Sequence, residues 1–240
     1  MERHILITAD GSHTLAIPAL QLTYHSMNGA LQESMHVFIQ SGLHLLLGTQ
    51  RVLRIFEMGL GTGLNALLTL QQAGMQHQQV YYETVELYPL SIAEVQSLNY
   101  NILLNSNQEY CLLEDLHTAP WDTDAQVAPL FTLHKKQQSF FQYLENPLQE
   151  PFHLIYFDAF DPAAQPDLWT QQVFEQLYAR LYEGGMLLTY CSKGDVRRAL
   201  QAAGFMVEKL PGPAGKREIV RARKVSSSLH CFVALLSFFP

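Results

Sequence analysis

Residues 56–70 read FEMGLGTGLNALLTL. Three glycines, Gly59, Gly61 and Gly63, stand two apart between an apolar run, VLRIFEMG, and a segment, LNALLTLQQAG, whose leucines recur at helical spacing. An apolar strand that enters a glycine turn and leaves it as a helix opens a parallel α/β unit. Without Cβ atoms the turn is sharp and the backbone can approach a ligand closely. The first amides of the helix have no partner within it and are free to donate to that ligand.

The same alternation runs outward from the loop. QVYYETVEL is a second strand, and PLSIAEVQSLNY a helix with Pro89 at its start. PLFTLHKKQ is a weaker third strand and FHLIYFDAF a strongly apolar fourth. PDLWTQQVFEQLYARLYEGG reads as one amphipathic helix with a glycine stop, MLLTYC as a fifth strand and KGDVRRALQAAG as another helix. FMVEKL and REIVRARK, joined by PGPAGK, form a terminal hairpin. The expectation is an α/β fold: a doubly wound, mostly parallel, seven-stranded sheet of Rossmann-like methyltransferase type, ending in an antiparallel hairpin.

Residues 51–224 make up this domain. Residues 1–50 read as a β/α extension packed on it. Within them HILITADGSHTLAIP suggests two short strands around an Asp10-Gly11 turn, and NGALQESMHVFIQSGLHLLLG a helix closed at Gly48. Residues 225–240 form an apolar tail, too short to span a membrane, expected to be a further strand or a surface-packed segment.

With 48% hydrophobic and 15% charged residues over 240 positions, the chain has the composition of a folded globular domain. A net charge of −7 argues against non-specific coating of nucleic acid and still permits a local basic patch. Cys111, Cys191 and Cys231 are far apart, and none of the ten histidines forms an HxxxH pair. Neither a disulfide framework nor a metal site is expected. No signal peptide or membrane-length apolar run is present, so a cytoplasmic location is expected, with no membrane partner.

The glycine pattern narrows the cofactor. A dinucleotide fingerprint needs glycine where Leu64 stands, and the spacing here is GxGxG. Glu57, at the first loop position, suits the amino group of a methionine moiety and is a poor neighbour for a pyrophosphate. The expected cofactor is therefore S-adenosylmethionine. Glu86, 27 positions after Gly59 at the end of the second strand, suits the ribose hydroxyls. Gly59, Gly61, Gly63, Thr62, Asn65 and Leu87 complete the expected cofactor contacts. An acid that would hold the adenine amino group after the third strand is missing from HKKQQSFF, where Gln137 or Gln138 offers an amide oxygen instead.

Asp158 ends the most apolar strand and should face the glycine loop, because ligands bind beyond the carboxyl ends of parallel strands. A carboxylate there can orient an amine, take its proton, or both. Asp161, before Pro162, reads as turn chemistry. Phe160 and Trp169 are candidate walls of a substrate pocket, Trp169 equally a core residue.

Together GLGTGLNALLTL, YYETVELYPL, FDAFDPAAQPDLWT and AAGFMVEKLPGPAGKREIVRA resemble the methyltransferase-domain family of the MnmC tRNA-modifying enzyme. The segment YHSMNGALQESMHVFI is similar to that family's entry segment, and the resemblance covers about residues 20–224. It implies methylation of the aminomethyl group of a modified wobble uridine in tRNA. The glycine loop and Glu86 would hold the methyl donor, and Asp158, Phe160 and Pro162 would line the acceptor site. It also implies a stand-alone enzyme without the flavin-dependent oxidase domain of the bifunctional relative, with a separate flavin oxidase as a candidate partner. Lys216, Arg217, Arg221, Arg223 and Lys224, with Lys193, Arg197 and Arg198, would then give a tRNA its phosphate contacts. Alternation turns Arg217, Ile219, Arg221 and Arg223 to one face. Two other readings fit the same residues: an aminopropyltransferase-like enzyme acting on a small amine, and a non-catalytic module of this fold.

Overall fold

The computed structural model describes residues 2–104 and 113–225. β1 (His4–Ile7) and β2 (His13–Ile17) pair antiparallel about the Asp10-Gly11 turn, as the sequence suggests. A two-residue β3 (Leu22–Thr23) adds a third strand to this small sheet. α1 (Ala30–Ser34) then runs into a π-helical turn, Met35–Gln40. The single helix expected up to Gly48 is interrupted here. Both Ser41 N and Ser41 Oγ donate to His36 O, at 3.2 and 2.7 Å, which unwinds the turn. Gly42 follows with its would-be Cβ 2.8 Å from Phe38 O, and only a short 3-10 turn, Leu43–Leu45, comes after it.

The main domain starts with β4 (Val52–Met58), followed by α2 (Leu64–Met75), β5 (Gln79–Val85) and the short helices α3 (Ile92–Gln96), α4 (Tyr100–Leu103) and α5 (Leu113–Thr118). β6 (Asp124–Ala128), β7 (Phe131–Lys136), α6 (Phe140–Glu145) and β8 (Phe152–Phe157) follow. α7 (Gln171–Ala179), β9 (Leu181–Thr189), α8 (Gly194–Ala202), β10 (Met206–Pro211) and β11 (Glu218–Arg223) close the order. The sheet runs β10-β11-β9-β8-β4-β5-β7-β6. Strands β9, β8, β4, β5 and β7 are parallel, while β11 and β10 form the expected antiparallel end. The sheet has eight strands, one more than expected. The added one is β6, an edge strand antiparallel to β7 with a register shift at Gln126/Ala128.

A second difference lies before β9. The stretch expected as one helix with a glycine stop is a 3-10 turn, Pro166–Trp169, then α7 capped by Thr170, whose Oγ1 accepts from Val173 N at 3.3 Å. The helix ends at Ala179, and Gly184 and Gly185 lie inside β9. Phe152 pairs with Leu181 and Leu154 with Met186, so β9 carries three extra residues that bulge around these glycines. The tail, residues 225–240, lies outside the described residues apart from Val225.

Alternation along β4 divides the core. Leu53 and Ile55 join the cluster with Tyr82, Leu154 and Tyr156, while Phe56 joins Phe152, Phe157, Phe174 and Trp169 on the other face. α2 is buried on every side from Leu64 to Leu70, as a helix covered all round must be. The π-helical turn of the N-terminal segment packs against both α2 and the sheet, with the Phe38 ring 5.0 Å from that of Tyr156. From β4 the chain builds outward through β5 and β7, then returns to place β8 on the other side of β4. That reversal opens a crevice beyond the ends of β4 and β8.

Gly63 shows how tightly the loop is set. Its φ is +78°, and a Cβ there would lie 2.8 Å from His117 Nε2 and 3.1 Å from Leu113 Cδ1. Gly63→Ala is expected to lower stability by about 1–3 kcal/mol in urea unfolding. Gly74→Ala, in open space within α2, should leave stability unchanged or raise it by up to about 1 kcal/mol. Equal losses for the two would contradict this packing.

Candidate active site

A cavity of about 890 Å³ fills the crevice between the glycine loop, the strand ends and the N-terminal segment. Gly59 and Gly61, both at positive φ (85° and 53°), expose their backbone to it, as do Thr62, Asn65, Glu86 and Leu87. Gly63, behind them, faces His117. Glu86 braces the loop as well as facing the cavity: Oε2 accepts from Gly61 N at 3.0 Å and Oε1 from Tyr88 N at 2.8 Å. Each oxygen keeps a second lone pair for a ligand hydroxyl.

Glu57 takes a position that the sequence did not suggest. It is buried beneath the loop and does not line the cavity. Its Oε1 accepts from Asn65 Nδ2 at 3.0 Å, and Oε2 has no hydrogen-bond partner. The other hydrogen of the same amide goes to Asp158 Oδ2 at 2.9 Å. Burial pushes the Glu57 carboxyl well above the usual range; the Asn65 bond opposes this and the charge of Asp158 adds to it. Asp158 is pushed up to about 7, first by loss of solvent, then by the charge of Glu33. The Asn65 bond and the Lys216 ammonium pull it back down. A carboxylate that titrates near neutrality at a cavity wall is poised to take and return a proton.

Beyond Asp158 the loop is held from behind. Trp169 Nε1 donates to Phe160 O at 2.9 Å, and Phe160 N donates to Gln165 Oε1 at 3.2 Å. Phe160 lines the cavity. Trp169 is buried in the core against Phe157 and supports the wall rather than forming it. Pro162 also lies outside the lining. Asp161 keeps its turn, accepting from Ala163 N at 2.8 Å, and pairs with Lys193 at 2.7 Å. Of the two glutamines after β7, Gln138 reaches the cavity, with a buried Nε2 that has no protein partner. An unpaired buried donor calls for a ligand acceptor.

The N-terminal segment contributes groups that no short motif signals. Tyr24 crosses the loop with Cδ1 3.3 Å from the Cβ position of Gly61, and meets Phe160 edge to face at 5.4 Å. Its hydroxyl accepts from Arg3 Nε at 3.0 Å, and Arg3 also reaches Glu94 and Tyr88 O. His25 is buried and held neutral, its pKa lowered to about 4 by loss of solvent against the opposing charges of Glu33 and Asp10. Its ring nitrogens lie 3.1 Å from Thr14 Oγ1 and 3.5 Å from Thr62 Oγ1. Glu33 and Tyr190 also line the cavity.

The basic residues are largely matched by acids. Arg221 pairs with Glu208 at 2.8 Å, Lys209 with Glu218 at 2.7 Å, Lys216 with Glu33 at 2.7 Å, and Arg198 with Asp195. On the face expected to gather cations, Ile219 is buried and Arg221 also donates to Ser41 O at 3.1 Å. At Ile219 and Arg221 that face packs against the protein. Lys216 lines the cavity, while Arg217 is exposed and lies outside it. No helix among the described residues is long and apolar enough to cross a membrane.

The charges around Asp158 make its titration a direct probe of this geometry. In ligand-free protein a carboxyl NMR titration should find Asp158 near 7. Lys216→Met should raise that value and Glu33→Gln should lower it. An ordinary aspartate value, insensitive to both substitutions, would contradict the arrangement.

Known proteins bear on this site in three ways. Residues 141–225 match a family described as S-adenosyl-L-methionine-dependent methyltransferase. Over 223 residues, 86% of its length, the chain is 30% identical to the tRNA 5-methylaminomethyl-2-thiouridine biosynthesis bifunctional protein MnmC of Burkholderia multivorans. It is 31% identical over 224 residues to the protein of that name from Burkholderia mallei. It spans 33% of the length of each of these curated relatives. Among solved structures, MNMC2 from Aquifex aeolicus aligns with a TM-score of 0.77 at 23% identity, covering 98% of this chain and 76% of that one. At that identity the structural likeness speaks for the fold.

Proposed function

We propose that this chain, an MnmC-like methyltransferase domain that uses S-adenosyl-L-methionine, N-methylates the aminomethyl group of a modified wobble uridine in tRNA. The observation that carries the reading is Asp158, poised near neutrality across one cavity from an open glycine backbone. The names of the Burkholderia relatives, which place them in 5-methylaminomethyl-2-thiouridine biosynthesis, supply the acceptor.

The cavity suits the methyl donor. A Cβ at Gly59 would meet nothing within 4 Å, so a ligand can lie against the loop backbone. A volume of about 890 Å³ is near the top of the roughly 300–1,000 Å³ range of small-molecule sites, with room for a nucleoside and part of a second one. Glu86 would take the ribose hydroxyls, the glycine loop would receive the methionine end against its backbone, and Gln138 would meet the adenine edge. When bound, S-adenosyl-L-methionine supplies an electrophilic methyl group, whose bond to sulfur breaks as the bond to the amine nitrogen forms, the sulfur keeping the electron pair.

The chain's own residues prepare the acceptor. An amine attacks only as the neutral form, so the entering ammonium must lose a proton, and the Asp158 carboxylate accepts it. Asn65 holds that carboxylate in place, and Tyr24 with Phe160 confines the amine. Alignment of this kind lowers the barrier by removing lost motional freedom in advance. Exposed Arg217, with Arg223, which forms no ion pair among the described residues, would meet RNA phosphates outside the cavity. The curated relatives are named bifunctional; a separate flavin oxidase, which the resemblance implies, is the protein partner this reading names. A tRNA acceptor goes with a cytoplasmic site of action.

One observation favours aminopropyl transfer to a small amine: Glu33 and Asp161 join Asp158 on the cavity wall. Both added acids already hold lysines, which leaves Asp158 as the open one and returns weight to a single-amine acceptor.

The test is incubation of the protein and methyl donor with tRNA bearing 5-aminomethyl-2-thiouridine, followed by nucleoside mass spectrometry. The expected product carries one added methyl group. Asp158→Asn should slow transfer by about 100-fold or more while leaving donor affinity unchanged. Wild-type activity should fall as pH drops through about 7, as Asp158 gains its proton. No methylated nucleoside from the wild type would overturn the function; full activity in Asp158→Asn would remove the base.

A further inference from the structure

Lys216 is unusually well placed for a loop lysine. The turn between β10 and β11 carries it, and Lys216 N donates to Pro213 O at 2.9 Å. A Cβ on Gly215 would collide with Asn28, so the turn sits directly on the N-terminal segment. From this seat the side chain, 24% exposed, lines the cavity. Its Nζ lies 2.7 Å from Glu33 Oε1 and 3.8 Å from the centre of the Tyr190 ring. The ring is pinned by its hydroxyl, which donates to Ala159 O at 2.8 Å. The second oxygen of Glu33 accepts from Ser26 N at 2.8 Å. Asp158, close enough to feel both charges, completes the same wall.

We infer that Glu33, Asp158 and the face of Tyr190 form the binding site for the acceptor's ammonium group, and that Lys216 is a placeholder cation that occupies it until the acceptor enters. The inference rests on the amine-methylation reading above.

Three features of the cluster lead there. The Glu33 side chain is 9% exposed, and a carboxylate so buried needs a cation close by at all times. An ammonium over an aromatic face gains further attraction once water is excluded. Most telling is chemical identity: a lysine side chain ends in CH2–NH3+, the same group that an aminomethyl substituent presents, with the same three donors. A cage that holds one accepts the other. Lys216 rides on a turn at the rim, so its departure exposes a cation at the cavity mouth, where a polynucleotide phosphate would receive it. The exchange leaves the charge of the cage unchanged and avoids an unpaired buried acid at either stage.

The experiment compares 5-aminomethyluridine with uridine as free nucleosides, titrated by NMR into protein saturated with S-adenosylhomocysteine. Wild type should bind the aminomethyl nucleoside at least tenfold more tightly. Glu33→Gln should abolish that preference. Lys216→Met, which removes the competing cation, should keep or strengthen it. Tyr190→Leu probes the same cage should Glu33→Gln fail to fold, and should weaken the preference severalfold. Equal binding of the two nucleosides by wild type, or no binding of either, overturns the inference. So does loss of preference in Lys216→Met, which would make that lysine a substrate anchor. Binding is read without turnover, so failure here is distinct from failure of the tRNA methylation assay.

Discussion

Both hydrogens of the Asn65 amide go to carboxylates, one on Glu57 at the end of β4 and one on Asp158 just past the end of β8. These are the two strands between which the sheet order reverses. The bridge ties the first turn of α2 to both of them. It fixes where the glycine loop leaves β4 and which way Asp158 points. Two acids so close and so poorly solvated both resist ionisation, and the amide is the group that lets Asp158 remain near neutrality. Without it, Asp158 would hold its proton to still higher pH.

Further walls come from the N-terminal segment and the C-terminal hairpin. The N-terminal segment lays Tyr24 across the glycine loop, sets His25 behind Thr62 and delivers Glu33. The C-terminal hairpin delivers Lys216 from the other side, with Gly215 seated against Asn28 and His36 bonded to Pro211 O at 2.7 Å. The segment is thus part of the site and not an appendage. The parallel sheet supplies the glycine-loop half of the cavity. What the chain adds around Asp158 gives the other half of the cavity its charge and aromatic character.

The sequence displays the glycine-loop half because its signals are local. A strand, three glycines and a helix fall within twenty residues, and Glu86 sits one strand further on. Asp158 is legible as the end of the most apolar strand. Period and strand-end position do not say which side chain meets the cavity. Glu57 turns beneath the loop, Trp169 into the core, and Pro162 and Arg217 away from the lining. Glu33, Tyr24, His25 and Tyr190 are illegible for another reason. Each owes its role to partners far along the chain, as when Glu33 meets Lys216. Gly184 and Gly185 mislead because a strand bulge and a helix stop use the same residue type. β6 escapes because five mixed residues at a sheet edge carry little periodicity.

The central claim is that the crevice between β4 and β8 holds a methyl donor against the glycine loop. Thermal unfolding with S-adenosylmethionine, its decarboxylated form, S-adenosylhomocysteine and NAD tests it most directly. A ligand at a hundred times its Kd stabilises by about 2.7 kcal/mol, a shift of several degrees in a chain of this size. The account predicts such shifts with S-adenosylmethionine and S-adenosylhomocysteine and none with NAD. A shift with NAD alone, a preference for the decarboxylated form, or no shift with any of the four would contradict it.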